Sequence, residues 1–167
     1  MTLQFRNLTV TPDAPVSTWP TEAIATALGR GDLDDWRRIV AELKADPWGR
    51  TARQVEEVLR HTRPYGVAAL FETVLSHTRA VAETEERNVT AEEIRTLIAA
   101  SGLSRSEFAS RIGTSASRLS TYATGKVTPS ATLLLRMRRL AERSREGQAP
   151  QLRSGQGTIP GPVGDAT

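Results

Sequence analysis

The amino-acid sequence predicts an all-α protein, in which a small N-terminal helical bundle is followed by a second helical domain and a disordered tail. Between residues 21 and 143, apolar residues recur at spacings of three and four, which place them along one side of a helix. Candidate N-caps and glycine or proline stops separate these periodic segments. Residues 3–10 instead alternate apolar and polar side chains. Residues 1–18 are therefore predicted to form an N-terminal arm, either an edge strand or an extended segment docked by its apolar residues.

The composition excludes several classes of protein. The chain contains no cysteine, which removes disulfide scaffolds, zinc sites with thiolate ligands and cysteine nucleophiles. No apolar run approaches the roughly 18 residues that span a bilayer, and the N-terminus lacks the basic and apolar regions of a signal peptide. We therefore expect a cytoplasmic protein without a membrane partner. The sequence shows no phosphate loop, metal-ligand cluster or catalytic constellation, so no cofactor, no bound metal and no enzymatic activity are expected.

The bounds of the helices in the first half are predicted from residues that typically start or stop a helix. Thr21 is expected to cap a first helix that ends at Leu28. Either Asp32 or Asp34 starts the second helix, and Asp46-Pro47 supplies the N-cap and first residue of the third. A fourth helix is expected from Val67 to about Arg87. The predicted apolar faces of the last three helices contain Leu33, Trp36, Ile39, Val40, Leu43, Trp48, Val55, Val58, Leu59, Leu70, Phe71, Val74, Leu75 and Val81.

Three features of this half allow a functional interpretation beside a structural one. Asp32, Asp34 and Asp35 resemble an acidic cluster, although aspartates at a helix start also cap the helix and complement its dipole. The three tryptophans, Trp19, Trp36 and Trp48, either line a ligand pocket or belong to the hydrophobic core. The similar segments 58–63 and 74–79, each with a histidine, indicate either a duplicated helical hairpin or two helices that end alike. We expect the structural interpretation in each case.

Residues 89–143 are predicted to form four further helices. Two Ser/Thr-x-x-Glu pairs have the spacing of capping boxes, and a glycine between the second and third helices is placed for the positive φ of a tight turn. The residues that start or stop these helices are Thr90 with Glu93, Gly102, Ser104 with Glu107, Gly113, Ser115, Gly125 and Thr128-Pro129-Ser130. The predicted inner faces contain Ile94, Leu97, Ile98, Phe108, Ala109, Ile112, Leu119, Tyr122, Leu133, Leu134, Met137 and Leu140.

The net charge of +3 is unevenly distributed along the chain. Residues 1–89 contain 11 Lys or Arg and 13 Asp or Glu, a net charge of −2. Residues 90–143 contain 9 and 4, a net charge of +5, whereas residues 144–167 are neutral. Such a concentration of positive charge indicates a polyanionic partner, nucleic acid before membrane.

The third helix of this basic segment has an unusual outward face. Its expected solvent-facing residues are short or hydroxylic, with one arginine among them: Ala116, Ser117, Arg118, Ser120 and Thr121. A solvated helix normally carries Glu, Lys or Gln at such positions, yet no acidic residue occurs between Glu107 and Glu142. Hydroxyls can hydrogen-bond to base edges or phosphates, and alanine and threonine methyls can contact the thymine methyl. The face is therefore typical of a surface that approaches DNA closely.

The basic segment resembles the phage repressor and Cro family of helix-turn-helix proteins, also called the xenobiotic-response-element family. The resemblance spans Thr90 to Arg143, about a third of the chain. It is carried by Leu103-Ser104-Arg105-Ser106-Glu107-Phe108-Ala109-Ser110-Arg111-Ile112-Gly113-Thr114-Ser115, by Leu119-Ser120-Thr121-Tyr122, and by Gly125-Lys126 and Pro129.

The resemblance implies that Ser115 to Thr124 is a recognition helix in the major groove of double-stranded DNA. The implied base contacts are Ala116, Ser117, Ser120 and Thr121. The implied phosphate contacts are Arg105, Ser115, Arg118 and Lys126. Ala123 departs from the family pattern, which often has glutamate or another polar residue at this position.

The same resemblance implies a sequence-specific transcriptional regulator, a dimeric repressor, because one such domain contacts too few base pairs for specificity. Residues 19–88 look like the N-terminal region of some actinobacterial regulators, and are predicted to bind a second subunit or a partner protein. That likeness is carried by Trp36-Arg37-Arg38-Ile39, Asp46-Pro47-Trp48-Gly49 and Arg63-Pro64-Tyr65-Gly66-Val67. The alternative is an antitoxin whose N-terminal half binds a toxin and whose helix-turn-helix domain autoregulates the operon. Residues 144–167, poor in apolar residues, are predicted to be a disordered tail.

Overall fold

The computed structural model describes residues 3–5 and 8–148, and every regular element in these ranges is helical, as predicted. The described residues divide into two compact units, one ending at Val89 and the other beginning at Thr90. Within these ranges a 3₁₀ turn is followed by seven helices: Val16–Thr18 (3₁₀), α1 Thr21–Arg30, α2 Leu33–Ala45, α3 Arg50–His61, α4 Ala68–Ser101, α5 Arg105–Ile112, α6 Ala116–Ala123 and α7 Ala131–Gln148. The tail predicted from residue 144 thus begins inside α7, and its remainder lies outside the described residues.

The first helix begins at Thr21 itself, so the prediction that Thr21 caps it is wrong. Pro20 occupies the N-cap position, and its carbonyl accepts the amides of Ala23 and Ile24 at 3.0 and 3.2 Å. The helix also continues beyond the predicted end at Leu28 and stops only at Gly31. A Cβ atom at Gly31 would lie 2.4 Å from the carbonyl oxygen of Ala27, so the chain requires glycine there.

Of the three aspartates at the start of α2, Asp32 and Asp35 are capping groups, and Asp34 pairs with Arg37 at 2.8 Å. Asp32 is the N-cap, and its carboxylate accepts the amides of Asp34 and Asp35 at 3.0 and 3.3 Å. Asp35 completes a capping box by accepting the amide of Asp32 at 3.2 Å. This arrangement satisfies amides that the first helical turn would otherwise leave unpaired. Among the described residues, no group of three or more potential ligands is arranged to hold a metal ion.

The third helix begins at Arg50, with Gly49 as its N-cap, and the prediction that Asp46-Pro47 starts it is wrong. Asp46 ends α2, and the amide of Gly49 closes a turn by donating to its carbonyl at 3.2 Å. A Cβ atom at Gly49 would lie 2.1 Å from the Asp46 carboxylate, so a larger residue there would require that side chain to move. Trp48 lies in this turn and is 43% exposed, so the prediction that it belongs to the core is wrong.

Helix α4 is continuous for 34 residues, and the predicted break between Arg87 and Thr90 is wrong. No glycine or proline occurs between Ala68 and Ser101, and residues 82–87 are largely good helix formers. Thr90 is consequently an internal helical residue rather than an N-cap. On the N-terminal part of α4, Phe71 and Leu75 are buried, whereas the predicted core residues Leu70 and Val81 are 47% and 55% exposed.

The core of the first unit is built around Trp19, which is fully buried. Its indole nitrogen donates to the carbonyl of Ala14 at 3.0 Å, and the Gln54 amide donates to the Trp19 carbonyl at 3.0 Å. The Arg38 guanidinium lies 5.0 Å from the centre of the indole ring and donates to the Pro12 and Ala14 carbonyls at 2.6 and 2.8 Å. The residues before α1 are thus held against α2 and α3 by specific hydrogen bonds as well as apolar contact.

Leu3 and Val16 are also buried in this core, and Phe5 packs edge-on against Trp19 with ring centres 5.0 Å apart. The described part of residues 1–18 contains no strand. Its apolar residues dock on the core, as in one of the two predicted forms, but the segment is not extended throughout, since it contains a turn at residues 12–13 and the 3₁₀ turn Val16–Thr18. Trp36 is half-buried and donates to the carbonyl of Ala27 at 3.0 Å.

The core of the second unit joins the end of α4 to α5, α6 and α7. The predicted inner residues are confirmed, since nine of them are buried and the others pack against them at partial exposure. The buried set is Ile94, Ile98, Phe108, Ala109, Ile112, Leu119, Tyr122, Met137 and Leu140, and the partly buried set is Leu97, Leu133 and Leu134. This core fixes α6 with one side inward and the other toward solvent.

Candidate nucleic-acid interface

Helix α5 starts with the predicted capping box. The Ser104 hydroxyl accepts the amide of Glu107 at 3.3 Å, and the Glu107 carboxylate accepts the amide and hydroxyl of Ser104 at 3.0 and 2.7 Å. The hydrogen bonds from the Ser104 hydroxyl and amide hold the pKa of Glu107 below its usual value. The Glu107 carboxylate forms no ion pair with Arg105, which lies two residues earlier in the same helix.

The turn between α5 and α6 is short and depends on Gly113. This residue has φ 79° and ψ 38°, a left-handed conformation that glycine adopts without steric cost. The amide of Gly113 donates to the Ser110 carbonyl at 3.1 Å, and the amide of Thr114 donates to the Ala109 carbonyl at 2.9 Å. These two bonds close the end of α5 and allow Ser115 to start α6 two residues later.

Ser115 is the N-cap of α6, as predicted, and its hydroxyl accepts the amide of Arg118 at 3.2 Å. Beyond it, Ala116, Ser117 and Ser120 are exposed and Thr121 is half-buried. Their spacing in the sequence places all four along one side of the helix. The Thr121 hydroxyl donates to the Arg118 carbonyl at 2.7 Å. The structure thus brings the four predicted base-contact residues onto one exposed face of small side chains.

Three positively charged residues lie on α6 or on the segments next to it in the chain. Arg105 is the first residue of α5, Arg118 lies on α6, and Lys126 follows α6 in the loop to α7. All three are exposed, and none forms an ion pair with any residue that the structure describes. Their charges are therefore available to an external anion.

Comparison with known families agrees with this geometry. Residues 91–150 match a family model described as a helix-turn-helix domain. This segment is a helix-turn-helix domain. The match covers about a third of the chain and confirms the resemblance drawn from the sequence of that segment. Neither the search of curated proteins nor that of solved structures found a match to the chain.

The C-terminal end of α6 in the helix-turn-helix domain is held by a residue that sequence reasoning missed. Arg95, on α4, donates to the carbonyl of Ala123 at 2.5 Å, and Glu92 forms an ion pair with the same guanidinium. Ala123 itself is buried, which explains an apolar residue at a position where the family often has a polar one. No local pattern signals this contact, because Arg95 and Ala123 are 28 residues apart.

A second contact between distant residues joins α4 to α7. The Arg138 guanidinium donates to both carboxylate oxygens of Glu93, at 2.6 and 3.1 Å. These hydrogen bonds hold the pKa of Glu93 below its usual value, and Glu93 in turn raises the pKa of Arg138. Glu93, predicted to complete a capping box with Thr90, instead fastens the first and last helices of the domain together.

This ion pair predicts how the stability of the domain depends on pH. A carboxylate whose pKa is depressed by folding adds stability above its unfolded pKa of about 4.3, and this stability is lost as the pH falls through the folded value. Thermal unfolding is measured between pH 6 and 3. At pH 6 we expect the wild type to be slightly more stable than Glu93→Gln, and at pH 3 we expect this difference to have disappeared. The difference is small because both side chains are partly exposed and solvent screens the pair. Glu146→Gln, an exposed position on α7, serves as control; an identical pH response in the wild type and Glu93→Gln would contradict the prediction.

No helix in the described ranges has the length and apolar character needed to cross a membrane.

Proposed function

We propose that the protein is a sequence-specific transcriptional regulator, a dimeric repressor, that reads the major groove of DNA with the helix at residues 115–124. One observation carries the proposal. In a helix-turn-helix domain, the exposed face of α6 carries small side chains without a carboxylate, and Arg105, Arg118 and Lys126, on or next to α6 in the chain, form no ion pair with the described residues. A helix with this face can approach base edges closely, because nothing long or negatively charged separates it from the groove.

Recognition of bases is assigned to Ala116, Ser117, Ser120 and Thr121. Hydroxyl groups exchange hydrogen bonds with base edges in the major groove, and the methyl groups of alanine and threonine contact the C5-methyl of thymine. Such short side chains form few bidentate contacts. Discrimination is therefore expected to come also from the sequence-dependent shape of the DNA.

Affinity is assigned to the phosphate contacts of Arg105, Ser115, Arg118 and Lys126. Arg105 and Ser115 lie at the starts of α5 and α6, where unpaired amides and the helix dipole also favour an anion. These contacts are independent of sequence and release counterions from DNA, so they determine how binding depends on salt.

Dimerisation is assigned to residues 19–88, since a single domain of this size contacts too few base pairs to select an operator. Light scattering of the purified chain tests this assignment, and a monomer at micromolar concentration without DNA would overturn it. The alternative is an antitoxin that uses residues 19–88 to bind a toxin. It would be favoured if the product of the adjacent gene co-purified with the chain as a stoichiometric complex.

The DNA-binding proposal is tested by selecting bound duplexes from a random pool and measuring their affinity across salt concentrations. We expect Arg105→Ala to weaken binding to selected and scrambled duplexes alike and to reduce the salt slope by about one unit. Ser117→Ala should instead weaken binding to the selected duplex alone, by about 1 kcal/mol, the usual value of one hydrogen bond, and relax the preference at one position. Arg53→Ala and Ser110→Ala, exposed residues on α3 and α5, are the matched controls. If no duplex is enriched, or if Arg105→Ala and Ser117→Ala behave like their controls, the proposal fails.

A further inference from the structure

A small cavity opens beside the exposed face of α6, between that helix and the start of α7. Its volume is ≈ 400 Å³. The polar side chains that line it are two guanidinium groups, four serine or threonine hydroxyls and the phenol of Tyr122, and no carboxylate is among the lining residues. The arginines and the serine and threonine residues are here named the Arg118–Arg136 notch: Arg118 and Arg136 with Thr114, Thr128, Ser130 and Thr132.

Arg136 reaches from α7 to the turn between α5 and α6. A Cβ atom built on Gly113 would lie 3.7 Å from Nη1 of Arg136, so the guanidinium lies beside that turn. Like Arg118, it is exposed and forms no ion pair with the described residues, whereas Arg138, two residues further along α7, is paired with Glu93. Two positive groups therefore line one cavity without an ion-pair partner in the part of the chain that the structure describes. Like charges placed together in this way disfavour each other until an anion binds between them.

We infer that the Arg118–Arg136 notch binds one phosphate of the DNA backbone. The inference rests on the proposed function and extends it, since nothing in the sequence assigned a role to Arg136. Guanidinium groups match phosphate oxygens with pairs of parallel hydrogen bonds, and surrounding hydroxyls supply further donors. A duplex that places a base edge against Ser117 brings its backbone past the adjacent Arg118.

The notch also supports the assignment of Arg118 to a phosphate rather than to a base edge. Arg118 lines the cavity, whereas Ala116, Ser117, Ser120 and Thr121 do not. An arginine that contacted guanine would have to extend over the face that these four residues occupy. The structure thus assigns Arg118 to the backbone and leaves base recognition to the short side chains.

The first test is the salt dependence of binding to the duplex selected from the random pool. Each neutralised phosphate contributes about 0.9 to the slope of log affinity against log salt. If both arginines hold one phosphate, Arg118→Ala and Arg136→Ala each weaken binding about three- to ten-fold, and the double variant lowers the slope by only about one unit in total. A decrease of about two units would place the arginines on separate phosphates and overturn the shared notch. Arg136→Lys, which keeps the charge, should retain the slope, and Arg139→Ala, an exposed α7 residue outside the notch, should leave binding unchanged.

The second test locates the phosphate. Methylphosphonate linkages, which carry no charge, replace the phosphates of the selected duplex one at a time. We expect one position per half-site where the neutral linkage weakens the wild type but does not further weaken the Arg118→Ala/Arg136→Ala double variant. Equal losses for both proteins at every position would overturn the inference. Saturable binding of inorganic phosphate to the DNA-free protein, with no such position in the duplex, would also overturn it and identify a free-anion site.

These outcomes separate the notch from the proposed function. If Arg105→Ala and Ser117→Ala act as expected while Arg136→Ala does not, the DNA-binding assignment stands and the notch fails. If no duplex is selected at all, the proposed function itself fails. Thermal unfolding of each variant accompanies the binding data, and the exposed positions of Arg118 and Arg136 predict unchanged folding.

Discussion

Ser117→Glu is expected to lower affinity for the selected duplex by at least about 100-fold, because it would place a carboxylate where the DNA is to approach and like charges brought together cost several kcal/mol. The same substitution should not harm folding. Ser117 is exposed in the first turn of α6, a turn that contains no acidic residue. A negative charge there complements the helix dipole. Titrations of labelled duplex and thermal unfolding curves measure the two effects separately.

Ser117→Gln is the matched control, since glutamine has nearly the size and shape of glutamate but carries no charge. It should lose far less affinity than Ser117→Glu and should shift which duplexes are selected. Equal affinities of Ser117→Glu and the wild type, with both proteins folded, would show that α6 does not face the DNA. The difference between the two variants therefore isolates the electrostatic part of the loss from the steric part.

Trp19→Ala is expected to destabilise the first unit by about 3–5 kcal/mol, the range for removing a large buried aromatic side chain. Trp19 is fully buried, and its indole accounts for a hydrogen bond to Ala14, a cation–π contact with Arg38 and an edge contact with Phe5. The substitution removes all of these and leaves a cavity. Circular dichroism during heating should show an early transition that the wild type lacks.

Trp19→Phe should lose much less stability than Trp19→Ala, because it keeps an aromatic ring in the core. The Ala14 carbonyl loses its hydrogen bond from the indole but still accepts one from Arg38. Trp48→Phe, at an exposed tryptophan in the turn before α3, should be close to neutral. If residues 19–88 form the dimer interface, Trp19→Ala should also weaken DNA binding through the loss of dimers. An unchanged melting profile in Trp19→Ala would refute the packing described for this unit.

The parts of the fold that the sequence predicts well are those determined by local hydrogen bonds. The cap at Asp32, the capping box of Ser104 with Glu107 and the left-handed Gly113 each involve residues within a few positions of one another. The inner face of the helix-turn-helix domain was also predicted, because its apolar spacing is regular and each helix is short. The same regular spacing predicted which residues of α6 face the solvent.

The failures arise where a local signal competes with a stronger alternative. Thr90 and Glu93 have the spacing of a capping box, but α4 has no helix breaker near them, and continuing the helix keeps its backbone hydrogen bonds. Asp46-Pro47 reads as a helix start, but here it forms the turn that ends α2 and delays α3 to Arg50. Because the third helix was predicted to start at Asp46-Pro47, Trp48 was placed on its buried face, whereas it lies in the turn before that helix.

The contacts that hold the candidate site in place are not visible in the sequence at all. Arg95 binds the end of α6, and Arg138 binds Glu93 across 45 residues of chain. The proximity of Arg136 to Gly113 likewise depends on how α7 packs on the domain. Side chains on different helices meet only once the core has formed, so no spacing rule identifies them.

The hydrogen bond within α6 from Thr121 to the Arg118 carbonyl restricts the chemistry of the base it would meet. While its hydroxyl donates to the Arg118 carbonyl, Thr121 can accept a hydrogen bond from a base but cannot donate one. Guanine presents two acceptors in the major groove, whereas adenine and cytosine each present an amino group, and thymine presents a methyl that suits the threonine methyl. We therefore expect the selected duplexes to disfavour guanine on the strand that Thr121 faces.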